Sequence, residues 1–179
     1  MTRSTSSDRL TLMVSDCFDL VWRSVRRFGV PQADTDDATQ DVFMIASRRL
    51  DDIEVGRERA FLIATAVRVA STRRRSTRRR SEVNLEHPEH IPGERDGPED
   101  LLARRRAREA LDTILDEMDD DARVVFALFE LEELPAPRIA EYLDIPVGTV
   151  ASRLRRARAT FHAAVKRLRA RERKHGGRP

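Results

Sequence analysis

A group of hydroxyl and guanidinium side chains recurs along one stretch near the carboxyl end of this 179-residue chain. The spacing of these residues puts them on the side of a helix opposite its apolar stripe, beginning near Val147. Guanidinium groups bind phosphates or donate two hydrogen bonds to a guanine edge, and short hydroxyls can reach either target. The pattern therefore predicts contact with duplex DNA, through Thr149, Ser152, Arg153, Arg155, Arg156 and Arg158.

The residues before this stretch predict how the helix is held. Ile139 and Leu143 have the spacing of a short amphipathic helix, and Pro146 with Gly148 cannot lie inside one, so the chain must turn between two helices. Two short helices joined by a tight turn are typical of a helix-turn-helix, whose second helix enters the major groove. An arginine-rich helix face can also be ordinary solvated surface. The turn, together with small polar residues at the start of the second helix, favours the DNA-binding interpretation.

A second basic group lies near the middle of the chain, after a helix predicted from Arg59 to about Arg75. Six arginines within eight positions exceed what the end of a helix needs to offset its dipole. Such a block attracts a phosphate backbone without sequence preference, although it can also be a flexible basic tail. The arginines are Arg73, Arg74, Arg75, Arg78, Arg79 and Arg80.

An acidic face precedes it, on a helix predicted to start near Asp34 or Thr35. Acidic side chains in the first turn are stabilised by the positive end of the helix dipole, and this explains why Asp36 is acidic. Asp41 lies beyond that turn, so capping does not explain it. Together with Asp37 and Gln40, it predicts a surface for a partner that is not a polyanion.

The chain organisation follows from apolar spacing and composition. Aromatics are only 5% and charged residues 36% of the chain, so a core must be built from Leu, Val, Ile and Ala, which favours an all-α fold. Acidic residues with Pro and Gly dominate 81–99, which predicts a flexible linker. We expect two small helical domains, at 8–80 and 100–171, the second containing the helix-turn-helix, and a disordered tail at 172–179.

Several kinds of site are excluded or left without support. Cys17 is the only cysteine, so neither a disulfide nor a cysteine-based zinc site can form within the chain. No Gly-rich phosphate loop, activated nucleophile or paired-carboxylate site occurs, so we expect no enzymatic activity, cofactor or metal. No apolar run reaches the roughly 18 residues of a membrane span, which predicts a cytoplasmic protein.

Four motifs in this order resemble those of bacterial RNA polymerase sigma factors of the extracytoplasmic-function class. The likeness covers about residues 12 to 80 and 100 to 169, and the carboxy-terminal motifs are the more specific. The motifs are Asp34-x-Asp36-Asp37-x-x-Gln40-Asp41-Val42-Phe43, Arg59-Ala60-Phe61-Leu62 running into the arginine block, Ile139-Ala140-Glu141-x-Leu143, and Val147-Gly148-Thr149-Val150-x-Ser152-Arg153-Leu154-x-Arg156-Ala157-Arg158.

The resemblance implies a role for each surface. It implies that core RNA polymerase and promoter DNA are the partners, that Asp37, Gln40 and Asp41 dock on the polymerase clamp, and that the acidic linker threads into the polymerase. Many relatives are also held inactive by an anti-sigma factor. The implied contacts to the minus-35 duplex are Thr149, Ala151, Ser152, Arg153, Arg155 and Arg156. The implied contacts to the unwound minus-10 strand are Phe61, Ile63, Ala64, Arg68, Arg73 and Arg74.

The chain departs from the family pattern at the strand-binding helix. Where the family usually has Trp-Leu-Tyr-Arg followed by Ala-Arg-Asn, this chain has Phe61-Leu62-Ile63-Ala64 and then Ala66-Val67-Arg68, so an aromatic and an amide that could engage a flipped base are absent. Base stacking on an aromatic side chain is worth about 1–3 kcal/mol per base, so weaker strand capture follows. Ala151 also stands where a longer basic residue is frequent.

Two other functions are compatible with a helix-turn-helix. A stand-alone regulator would use the first domain for sensing or dimerisation and would bind DNA tightly without polymerase. A basic nucleoid protein would bind any duplex with equal affinity, and the acidic linker argues against it. The sigma-factor hypothesis predicts weak DNA binding by the free chain and specific binding after assembly with core polymerase.

Overall fold

The computed structural model describes the backbone of residues 2–81 and 98–175, with side chains at 7–77 and 106–171. Within those ranges the chain is helical and contains no strand, so the all-α prediction is confirmed. A single 3₁₀ turn follows the second helix at Leu50–Asp52, and a π-helical turn follows the fifth at Ala127–Leu131. The α-helices are α1 (Thr2–Arg27), α2 (Gln32–Arg48), α3 (Glu58–Ser81), α4 (Pro98–Asp116), α5 (Asp120–Phe126), α6 (Ala136–Leu143) and α7 (Val147–His175).

Helices α1, α2 and α3 pack against one another and form the amino-terminal domain. Each contributes an apolar stripe at helical spacing, such as Val21 and Val25 of α1, Val42 of α2 and Leu62 of α3, all fully buried. Between α1 and α2 the chain reverses at Gly29, whose φ of +102° is a conformation that side chains disfavour.

The carboxy-terminal domain comprises α4 to α7, with α5 packed along α7. Asp119 caps α5 by accepting a hydrogen bond from the backbone N–H of Ala122 at 2.8 Å. The rings of Phe126 and Phe161 stack with centroids 5.2 Å apart, which fixes α7 on the core side of α5. This packing leaves the other side of α7 facing solvent.

The two domains lie against each other, because α6 packs on α3 and the π-helical turn contacts α1. The domain limits 8–80 and 100–171 remain predictions. Most of the predicted linker at 81–99 and the end of the tail at 172–179 lie outside the described residues. Within the described part of the chain, no helix is both long and apolar enough to cross a membrane.

Candidate nucleic-acid interface

Helices α6 and α7 form a helix-turn-helix through a tight turn. Asp144 ends α6 in the left-handed conformation, with φ of +52°, which Asp tolerates better than most side chains. Pro146 then precedes α7, and its carbonyl accepts hydrogen bonds from the N–H groups of Thr149 and Val150 at 2.9 and 3.2 Å. The turn and the start of the second helix therefore lie where the sequence predicted them.

The two sides of α7 differ sharply in burial. Val150, Leu154 and Ala157 lie in the core and hold the helix against α5 and α6. Thr149 and Ser152 are half-buried, and the Ser152 hydroxyl donates to the Thr149 carbonyl at 2.9 Å. The exposed side carries Ala151, Arg155 and Arg156.

The guanidinium groups of α7 are not equally available for binding DNA, because some of them form ion pairs within the chain. Arg153 is half-buried and forms an ion pair with Asp121. Arg156 lies 3.6 Å from a carboxylate oxygen of Asp119. An exposed ion pair at this distance contributes little stability. Arg155 has no ion-pair partner among the residues that the structure describes, so its guanidinium is the most available for a phosphate or a base.

Three of the residues predicted for strand binding lie along one side of α3. Phe61 is half-buried, and the Arg49 guanidinium carbon lies 5.8 Å from its ring centroid. Ala64 follows one turn later. Arg68 is exposed and donates from Nε to the Ala64 carbonyl at 3.2 Å. An aromatic face, a small residue and a cation therefore occur in sequence along a single surface.

The other three predicted strand contacts are placed differently. Ile63 is fully buried in the core, so its side chain points into the domain, and its contact with DNA stays a prediction. Arg74 is also buried, 8% exposed, and is enclosed between the two domains. Arg73 is half-buried and forms an ion pair with Asp41.

The predicted polymerase face lies along α2. Asp37 and Gln40 are exposed, and the Asp41 side chain is 48% exposed beside Arg73. Met44, 43% exposed, continues this side of α2 by one turn. These residues form one surface of acidic, amide and apolar groups.

Sequence reasoning missed an exposed aromatic next to that surface. Phe18 of α1 is 45% exposed and stacks on Phe43, with ring centroids 6.2 Å apart and planes within 9°. Its spacing fits the buried stripe of α1, so the sequence contained no signal that this ring faces outward.

Charged contacts join the two domains, and several are buried. Arg123 of α5 is 1% exposed and donates from Nε to the backbone carbonyl of Arg27. Burial lowers the pKa of the Arg123 guanidinium, which its hydrogen bond to Asp116 counteracts. Glu132 pairs with both Arg23, at 3.1 Å, and Arg27.

Comparison with known proteins assigns the chain to a family. The family model for sigma-70 region 2 matches residues 13–80, and that for sigma-70 region 4 matches residues 108–161. The RNA polymerase sigma factor CnrH of Cupriavidus metallidurans is 30% identical over 149 residues, covering 79% of this chain and 78% of CnrH. The chain belongs to the sigma-70 family. The predicted resemblance is thus confirmed.

Other relatives support the same class of sigma factor. The ECF RNA polymerase sigma-E factor of Escherichia coli is 31% identical over 157 residues, covering 78% of each chain. Sigma factors are non-enzymatic subunits of transcription initiation, in agreement with the prediction that the chain is not an enzyme.

Solved structures share the fold. The structure of CnrH in complex with the cytosolic domain of CnrY matches with a TM-score of 0.68 and 24% identity, covering 89% of both chains. The structure of the sigma factor RpoE in complex with the anti-sigma factor NepR from Bartonella quintana matches with a TM-score of 0.69 and 19% identity, covering 87% of this chain and 96% of that one. At these identities the likeness supports the two-domain helical fold.

Proposed function

We propose that this sigma factor binds core RNA polymerase and directs it to promoters with a minus-35 and a minus-10 element. The observation that carries this proposal is the helix-turn-helix, whose second helix offers Arg155, Arg156 and Ala151 to solvent. A helix docked by its amino-terminal turns in a major groove would bring these side chains to the base edges. Because core polymerase and promoter DNA are its proposed partners, the protein would act in the bacterial cytoplasm.

The amino-terminal domain would capture the unwound minus-10 strand on α3. Phe61 supplies a ring for a base, and Arg68 supplies a cation for the backbone. Ala64 leaves room between them. Arg73 lies further along the same helix and would bind phosphate once its pairing with Asp41 is released.

Core polymerase would bind the α2 face formed by Asp37, Gln40 and Asp41. Asp37 and Gln40 are exposed and the Asp41 side chain is 48% exposed, so all three can reach a partner, which is consistent with a docking role. By analogy with CnrH and RpoE, whose structures contain CnrY and NepR, an anti-sigma factor is a further proposed partner.

The proposal is tested by run-off transcription with core polymerase on a library of randomised promoters. We expect initiation only when the chain is added, with selected templates sharing two elements at a constant spacing. A gel-shift assay with and without core polymerase separates the alternative function. Tight sequence-specific binding by the free chain, with no initiation from any template, would identify a stand-alone regulator instead.

A further inference from the structure

Helix α7 has no acidic residue along 147–171, so none of its cations there can be neutralised by a neighbour in that stretch. The cations that flank its buried side are paired instead with acids of the adjoining segments. Arg158 donates from Nε to Glu130 at 2.7 Å, and Arg167 forms an ion pair with Glu117. These two guanidinium groups are therefore held beside the carboxy-terminal domain.

The cations on the outward side of α7 have no such partners. Lys166 follows Arg155 by eleven residues, which is three helical turns, and Arg169 follows one turn later, so the three share one side of the helix. All three are exposed, and none forms an ion pair with a residue whose side chain the structure describes. Ala159 and Ala163 are exposed between them. A row of unpaired cations separated by small side chains fits a polyanion such as a phosphate backbone.

This row is longer than base recognition by a helix-turn-helix requires. The second helix contacts base edges with its amino-terminal residues, and the major groove is about 12 Å wide. At a rise of about 1.5 Å per residue, Lys166 lies about 16 Å and Arg169 about 21 Å along the axis from Arg155. These two cations therefore extend past the groove that Arg155 would enter.

The body of the domain stays on the opposite side of α7 along this whole length. Leu154, Ala157 and Ala164 are buried, and Phe161 stacks on Phe126. The outward side is thus open from the first turns of the helix to Arg169. A helix entering the groove end-on would use cations only at its amino-terminal turns, whereas a continuous row fits a helix that lies along the DNA.

We propose that α7 lies along the duplex and that its outward side continues the contact beyond the minus-35 element, with Lys166 and Arg169 bound to backbone phosphates of the flanking DNA. This inference rests on the proposed entry of the first turns of α7 into the major groove. Phosphate contacts fix the orientation of a protein on DNA but carry no base sequence. The flanking contact therefore adds affinity, while the first turns of α7 select the element.

The test compares two double variants of the full-length chain. The first combines Lys166→Gln with Arg169→Gln. The matched control combines Arg158→Gln with Arg167→Gln, which removes the same charge from the same helix at the two cations paired with Glu130 and Glu117. Circular dichroism establishes that both variants are folded.

Fluorescence polarisation measures the affinity of each chain, assembled with core polymerase, for a labelled duplex. The duplex has about 30 base pairs, three helical turns, with the minus-35 element selected by run-off transcription at its centre. Affinity is measured between about 50 and 200 mM KCl, because each phosphate contact adds to the dependence of affinity on salt.

We expect the affinity of the unaltered chain to fall about tenfold more over this range than that of the Lys166 and Arg169 variant. Loss of two phosphate contacts lowers the slope of log affinity against log salt by about 1.8. The control should keep the slope of the unaltered chain. The preference for the selected element over a mutated one should be unchanged in the Lys166 and Arg169 variant, because phosphates carry no base identity. On a duplex cut back to the element, this variant and the unaltered chain should have equal slopes.

Three results would overturn the inference. Equal slopes for the two double variants mean that the outward cations are solvated surface or act only through net charge. A lost preference for the selected element means that they contact bases. A difference in slope that persists on the shortened duplex means that they bind within the element and not beside it.

Run-off transcription by the unaltered chain decides the proposed function separately. Initiation together with any of these three results leaves the function standing and removes the inference. If no element is selected, the function fails, and the two variants are compared without polymerase on a mixed-sequence duplex, where phosphate contacts persist. A lower slope for the Lys166 and Arg169 variant then supports the backbone contact, and equal slopes remove it as well.

Discussion

Arg73 of α3 forms an ion pair with Asp41 of α2, with 2.5 Å between the Arg73 Nη2 and a carboxylate oxygen of Asp41. Asp41 belongs to the proposed polymerase face, and Arg73 to the proposed strand-binding helix. The two surfaces therefore share a charged contact, and a partner that engaged Asp41 would free the Arg73 guanidinium. Substitutions at the two positions separate their roles.

Asp41→Asn should weaken assembly with core polymerase, because the proposed docking face loses a carboxylate. An exposed charge contact is worth up to about 1 kcal/mol, so we expect a loss of about fivefold in affinity. Competition against a labelled sigma factor for core polymerase measures this. Arg73→Gln releases Asp41 from its ion pair, so core affinity should not fall, while the yield of open complex should be lower.

Asp51→Asn is the control, since Asp51 is an exposed acid on the 3₁₀ turn away from the proposed face. Equal effects of Asp41→Asn and Asp51→Asn on core affinity would show that net charge, and not the α2 face, is responsible.

Arg155→Lys should reduce base selectivity in the minus-35 element while retaining most of the phosphate attraction. Lysine keeps the charge but lacks the planar guanidinium group, which can donate two hydrogen bonds to one guanine. We expect a cost of about 1–3 kcal/mol on the preferred template and a smaller cost on templates mutated at the contacted base pair. Run-off yield on both templates measures the difference.

The control for Arg155→Lys is Arg169→Lys, an exposed arginine more than three turns further along α7. A uniform loss on all templates after Arg155→Lys would contradict base recognition and indicate a phosphate contact.

Phe61→Ala should weaken strand capture by about 1–3 kcal/mol, because a base loses the ring on which it stacks. The affinity of core polymerase carrying the variant for a labelled minus-10 strand measures this. Ile63→Val supplies the contrast: Ile63 is fully buried, so the substitution should lower the free energy of unfolding by about 0.5–1.5 kcal/mol and leave strand affinity unchanged. Weaker strand binding by Ile63→Val would instead support the contact between Ile63 and DNA that the sequence predicted.

Glu58→Gln should change how stability depends on pH. Arg9 donates to Glu58 from Nε and Nη2, at 3.1 and 2.7 Å. Burial alone raises the pKa of Glu58, but hydrogen bonds from its own backbone N–H and from Arg9 outweigh it, so the pKa lies below its ordinary value of 4.5. A carboxyl with a lowered pKa stabilises the fold above the unfolded pKa, and this stabilisation is lost as the pH falls through the folded pKa.

We therefore expect Glu58→Gln to lower the free energy of unfolding by about 1 kcal/mol at neutral pH, with the difference from the unaltered chain shrinking below about pH 4.5. Urea unfolding at several pH values measures it. Glu54→Gln is the control, because the Glu54 side chain is 84% exposed and lies 4.0 Å from Arg57. A difference that grows on acidification would contradict the lowered pKa.

The sequence alone was sufficient to predict the features that depend only on residues close together in the chain. The turn before α7 follows from Pro146 and Gly148, and the two sides of α7 follow from apolar spacing, because helix periodicity and the backbone limits of proline are local properties. The acidic side of α2 was predictable for the same reason.

Only the tertiary structure decided which side of α3 is buried and where its cations lie. Most of the circumference of α3 is apolar near Phe61, so spacing could not tell that Ile63 is fully buried while Phe61 and Ala64 are only half-buried. Arg74 carries the same local signal as Arg73, yet it is buried against Phe28 and Asp120, 46 positions away in both directions. Burial of a charge depends on partners brought together by packing, and a residue's own neighbours in the chain do not contain that information.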